Sequence, residues 1–243
     1  MTPRSVPIVT LTPGETRYYG ASLEPWPFMA EEGWRPHTEV EVAPGQSRYG
    51  GPVMDLPAGL DPPEGLRFAA QIDLAAVGPH DATGLLPRSG HLVVFADILT
   101  DRGLVVYADV DGGALVRHTV EHDGAFFAGV LVAGAHADTE RWSERFYEDL
   151  VDLDDGGVAA VTEWSHFGGS GRSKMLGWPV HCQWDRADIE AVVASDRVVL
   201  VQFGEGDPDG PQFNDEGVFS VLVPRADLAA RRFDRCEVLW SQS

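Results

Sequence analysis

Short β-branched and aromatic runs, each closed off by Gly, Pro or Asp, recur from one end of this chain to the other. Runs of this kind suit short strands, and the bounding residues are turn formers, so the pattern demands many short strands rather than a helical bundle. It predicts strands at Pro7–Leu11, Tyr18–Leu23, Glu39–Val42, Arg67–Ile72, His91–Phe95, Leu104–Asp109, Leu115–Glu121, Phe126–Val132, Val158–Trp164, Val198–Phe203, Val218–Val223 and Glu237–Trp240. Asp111-Gly112 sits between two such runs and has the chemistry of a hairpin turn, because both residues tolerate positive φ. Two segments depart from the pattern. Asp138–Leu153 places Trp142, Phe146 and Leu150 on one helical face behind Asp138 as N-cap, and Asp185–Ser195 turns Ile189, Val192 and Val193 inward. Asp73–Val77 and Arg225–Arg231 read as single helical turns.

A chain of 243 residues with 44% hydrophobic content can bury its own core, and the whole of 1–243 reads as one domain. Cys182 and Cys236 have no C-x-x-C spacing, so neither a zinc knuckle nor a disulfide framework is indicated. Met1–Leu11 lacks the apolar stretch of a signal peptide, and no run approaches the roughly 18 apolar residues of a membrane span. The expected location is therefore the cytoplasm.

The formal charge of −20 repels phosphate backbones and anionic lipid unless a local basic patch overrules it. Lys174 is the one lysine, and the arginines are scattered apart from Arg231, Arg232 and Arg235. The expectation is no nucleic acid, no membrane, and attraction to a basic protein partner; the charge also serves plain solubility.

The strings that carry chemistry elsewhere are incomplete here. His118-Thr-Val-Glu121-His122 matches H-x-x-E-H, but its neighbours alternate like a strand, which spaces the two histidines too widely for a helical zinc site. Gly168-Gly-Ser-Gly-Arg-Ser-Lys174 lacks the Gly-Lys-Ser/Thr order of a phosphate loop, and Trp178-Pro179 follows where a helix should start. His166 and His181 flank that loop without a third metal ligand. The acidic loop 204–217 offers oxygen ligands but not the order of a calcium loop, and turn chemistry accounts for it without an ion. No nucleophile elbow or triad is legible, so no catalytic residue, metal or cofactor is assigned.

Two stretches share an order of landmarks. Ser47-Arg48-Tyr49-Gly50-Gly51-Pro52, Gln71 and Gly90-His91-Leu92-Val93-Val94-Phe95 run parallel to Ser173-Lys174-Met175-Leu176-Gly177-Trp178-Pro179, Gln202 and Gly217-Val218-Phe219-Ser220-Val221. A duplication accounts for this, with halves at about 47–100 and 173–223 packed around a pseudo-two-fold. These residues, with Phe68-Ala-Ala-Gln-Ile-Asp-Leu74, Leu86-Pro-Arg-Ser-Gly90, Phe213-Asn-Asp-Glu-Gly-Val-Phe219 and Ala226-Asp-Leu228, resemble the signature blocks of the YwqG-like family of bacterial proteins. Asp61-Pro62-Pro63, Leu176 and Phe213 depart from the family's usual Trp-Pro, Gly and Trp. The resemblance implies an α+β fold, β-rich with a few short helices, and no assigned activity; some members belong to the immunity side of bacterial toxin systems.

The paired landmarks supply the candidate ligand-binding residues: Arg48, Tyr49, Gln71, Lys174, Trp178 and Gln202, with Asp215. Two symmetric basic–aromatic–amide sets could line a cleft between the halves and grip an anionic group. Alternatively, the glycines set tight turns and each glutamine satisfies loop backbone groups in the interior. The functional expectation is a non-enzymatic acidic protein that engages a protein partner, as an antitoxin-like immunity factor would; the alternative is an enzyme or small-molecule binder using the cleft.

Overall fold

The longest ladder in the computed structural model joins β1 (Ser5–Tyr19) antiparallel to β9 (Gly129–Arg141), from Ser5 opposite Arg141 to Tyr18 opposite Gly129. The model describes residues 5–20, 33–97, 102–120, 129–141, 173–181, 184–204 and 218–241. The ladder's register shifts on either side of Pro13, which has no N–H to donate.

From this central pair one sheet extends in both directions. Beyond β9 come β3 (Arg48–Tyr49), β5 (Arg67–Asp73), β6 (His91–Asp97) and β7 (Arg102–Ala108). Beyond β1 come β10 (Lys174–Met175), β11 (Arg197–Gly204), β12 (Val218–Pro224) and β13 (Glu237–Ser241). β2 (Arg35–Pro36) runs parallel to the end of β1. The sheet curls until its two ends meet, which makes a nearly closed barrel: a Cβ added to Gly103 of β7 would lie 1.8 Å from Val238 Cγ2 of β13. Tyr107 packs on Phe233 beside this seam, with ring centroids 5.1 Å apart.

Both faces are covered at β5, β6, β11 and β12, whose residues are buried almost without a break, which is why these strands read as unbroken apolar runs rather than alternating ones. Along β6, Leu92, Val94 and Ala96 enter the main core, while Val93 and Phe95 enter a second one with Met54, Leu56, Phe68 and Val120. That second core lies under a separate two-stranded ribbon, β4 (Val53–Pro57) against β8 (Leu115–Thr119).

Among the described residues the helices are short. They are α1 (Leu74–Val77), capped by Asp73, α2 (Arg186–Ala194), entered through a reciprocal Asp185–Asp188 capping box, and α3 (Arg225–Ala229). No helix among these residues is long and apolar enough to cross a membrane.

Several expectations are corrected. The fold is mostly β, not α+β. The stretches about 47–100 and 173–223 are not two modules packed together; their described parts are opposite arms of one continuous sheet, and no duplication is shown. The helix expected from Asp138 does not begin there, because Asp138–Arg141 extend the ladder with β1, and Asp138 accepts from Thr10 Oγ1 at 3.3 Å. The remainder of that helix lies outside the described residues, as does the strand at 158–164. Glu39–Val42 forms turn and loop structure. Asp111-Gly112 does not close a hairpin: β7 pairs with β6 and β8 with β4, and Asp111 has an ordinary φ of −70° ahead of a 3-10 turn.

Candidate functional site

The expected site residues lie in the sheet interior, in two clusters built on the same cross-strand pairing. Arg48 stands opposite Gln71, and Lys174 stands opposite Gln202. All four are 0% exposed. A buried cation is tolerated only when paired and hydrogen-bonded, and each cluster supplies a carboxylate that the sequence reading did not single out.

In the first cluster Arg48 Nη2 donates to Asp55 Oδ2 at 2.8 Å and to Gln71 Oε1 at 2.7 Å. Its Nε and Nη1 donate to the carbonyls of Val53 and Gln46. Gln71 Oε1 also accepts from the Asp55 N–H at 3.0 Å, so one amide fixes both the strand and its side chain. Asp55 binds further donors: Gly45 N–H at 2.9 Å, and Arg117 through Nε at 2.8 Å and Nη2 at 3.0 Å. Burial pushes the Asp55 carboxyl up, but the Arg117 hydrogen bond, the Arg48 charge and the Gly45 N–H outweigh it and hold the group below its ordinary value.

In the second cluster Lys174 Nζ donates to Glu140 Oε1 at 2.5 Å and to the Trp178 carbonyl at 2.9 Å. Glu140 Oε2 accepts from the Trp178 N–H, while Gln202 Oε1 accepts from the Val180 N–H and Ser220 Oγ. The turn between Lys174 and Trp178 needs left-handed backbone at Leu176 (φ 66°) and Gly177 (φ 81°). A side chain at Gly177 would also place Cβ 2.5 Å from Glu140 Oε2.

The structure thus brings Arg48 and Gln71 together, and Lys174, Trp178 and Gln202 together, in separate places. Tyr49 points to the opposite face, packed on Phe203 with centroids 4.9 Å apart. Asp215 lies outside the described residues, as do His166, Glu121, His122, residues 168–172 and most of the acidic loop. His118 lies on strand β8, and His181 stacks on Trp184 at 4.5 Å. Cys236 is a free, partly buried thiol that burial pushes up to about 12, which keeps it protonated.

The one arginine group of the chain forms ion pairs at the surface, with its side chains exposed. Arg231 pairs with Asp109 at 3.1 Å, and both Arg232 and Arg235 pair with Asp227. Chemically, these arrangements hold strands together and neutralise cations in place.

A family described as a domain of unknown function, DUF1963, matches residues 24–241, and the chain belongs to that family. No curated protein matches it.

Proposed function

We propose that this DUF1963 member, YwqG-like in its signature blocks, is a non-enzymatic binding protein whose acidic surface engages a basic protein partner, as an antitoxin-like immunity factor would. The observation that carries this reading is the fate of the positive charge. Arg48 and Lys174 are buried against Asp55 and Glu140, and setting these two pairs aside leaves 16 bases against 36 acids. The Arg231, Arg232 and Arg235 group is paired with acids as well. Such an imbalance steers a cationic partner by long-range attraction that salt screens over about 10 Å at 0.1 M.

The test is capture on the full chain from the native host's lysate, washed at low and then at raised salt. A retained basic protein that binds again when purified, and whose association slows steeply as salt rises, supports the reading. Recovery of acidic or neutral proteins alone, or binding indifferent to salt, overturns it.

A further inference from the structure

The two edges of the β4–β8 ribbon are finished differently. Just beyond the Val53–Thr119 pair, the Val120 N–H donates to the Pro52 carbonyl at 2.7 Å. Hydrogen-bonded pairs alternate along an antiparallel ladder, so Val116 and His118 bond inward to β4. The main-chain groups of Val53 and Asp55 then point out of one edge, and those of Leu115, Arg117 and Thr119 out of the other. On the β4 edge the Val53 carbonyl accepts from Arg48 Nε and the Asp55 N–H donates to Gln71 Oε1, so buried side chains close it. On the β8 edge the Leu115 N–H turns back to the Gly112 carbonyl, but the N–H and C=O of Arg117 and Thr119 meet no main-chain partner among the described residues. An open edge of this kind is a template for a further strand.

Exposed apolar surface gathers at the same ribbon. Among the described residues the exposed large hydrophobic side chains are Val116 (44%), Leu60 (39%) and Val110 (37%). Val116 is on β8 itself. Leu60 sits just past β4, its N–H donating to the carbonyl of Pro57, and Pro57 stands opposite Leu115. Val110 belongs to the bend that leads into β8. Single exposed hydrophobics are ordinary, but three on one ribbon and its turns, beside open main-chain groups, mark a contact surface.

Charge selects the occupant. Arg117, the one arginine on β8, is held against Asp55, and its Nη1 donates to the Val42 carbonyl at 2.7 Å, which ties the segment before Val42 to the ribbon. That segment carries Glu39 and Glu41, and the bend before β8 carries Asp111; all three acids are exposed. A second copy of the chain would bring the same acids and a further formal charge of −20, so self-pairing is opposed. We propose that the β8 edge docks an extended, basic segment of the partner as an added strand, with apolar side chains beside Val116 and its bases drawn by Glu39, Glu41 and Asp111. Main-chain bonds to Arg117 and Thr119 supply affinity, and the side chains supply selectivity. This rests on the basic-partner reading above and adds where, and in what conformation, the partner binds.

The experiment titrates the isotope-labelled full chain with a short blocked peptide alternating lysine and valine, and follows amide hydrogen exchange residue by residue. The Arg117 and Thr119 amides should slow by about tenfold or more at saturating peptide, because each gains a main-chain acceptor. The same peptide with glutamate for lysine should bind at least about tenfold more weakly at low salt, and one methylated on its main-chain nitrogens should not bind. Val116→Lys, at an exposed position, should keep the wild-type melting temperature and weaken the lysine peptide about tenfold. Lysine-peptide binding that leaves the Arg117 and Thr119 amides unprotected overturns the docked strand while the acidic-surface reading stands. Failure of the lysate capture with this edge protected overturns that reading alone. Equal binding of the glutamate or methylated peptide, no binding of the lysine peptide, or protection that rises with protein concentration alone, the mark of a second copy on the edge, overturns the proposal.

Discussion

The two arms of the sheet solve one problem with different chemistry. Each is joined to the central β1–β9 pair through a two-residue strand, β3 or β10, so the ladder is thinnest there. Each carries a buried base at that joint, opposite a buried glutamine. In the first arm the base is arginine, and its carboxylate, Asp55, comes seven residues later and is shared with Arg117. In the second it is lysine, and its carboxylate, Glu140, comes 34 residues earlier from the far side of β1. The comparison teaches that the joint requires a neutralised cation reaching loop carbonyls, while the source of the neutralising group is free to vary.

Removing a carboxylate tests that claim most severely. Asp55→Ala leaves two guanidiniums facing each other with no route to neutrality, and should cost about 3–5 kcal/mol in urea unfolding, at the upper end of that range. The folded-state value of Asp55 lies below its unfolded value, so its contribution is complete above about pH 4 and is lost as the pH falls through the lowered value. The gap between wild type and variant should therefore be constant near neutrality and narrow in acid. A deficit below about 1 kcal/mol would show that Asp55 does not hold the arm.

Glu140→Ala should cost about the same or somewhat less at neutral pH, but lysine can release its proton. Its deficit should shrink as the pH approaches about 10, the ordinary range for an amine, while that of Asp55→Ala should not. Parallel pH profiles for the two variants would erase the distinction between the arms.

The smallest effect belongs to a pair outside both joints. Arg225 and Asp196 meet at 3.3 Å with both side chains largely exposed, so Arg225→Ala should change the unfolding free energy by no more than about 0.5 kcal/mol. A loss comparable to that of Glu140→Ala would mean that burial is not what gives the two clusters their weight.

Much of this architecture is legible in the residues. The strands at His91, Val198, Val218 and Glu237 are apolar runs bounded by turn formers, and α2 is announced by Asp185 three residues before Asp188. The shared landmark order puts each base in one set with its glutamine, but that the two stand opposite each other is seen only in the ladders. Other features resist reading for identifiable reasons. β3 and β10 have only two residues each, too few for any periodicity. The interval after Asp138 has helical spacing, yet the long partner β1 draws its first residues into a ladder. Asp55 carries a usable signal, a lone charge inside the apolar run Val53-Met-Asp-Leu-Pro57, whereas Glu140 is one of 38 acids and has none.

The chain by itself determined that it would be β-rich and acidic and where several of its strands and short helices would fall, because these rest on local alternation, capping chemistry and composition. Tertiary structure alone decided that the arms join one nearly closed sheet, that Asp55 and Glu140 neutralise the buried bases, and that the arginine group meets acids at the surface. Those outcomes depend on how the folded chain brings charges together, over seven residues for Arg48 and Asp55 and over 34 for Lys174 and Glu140, where the cost of burying a charge selects the partner and no local pattern records the choice.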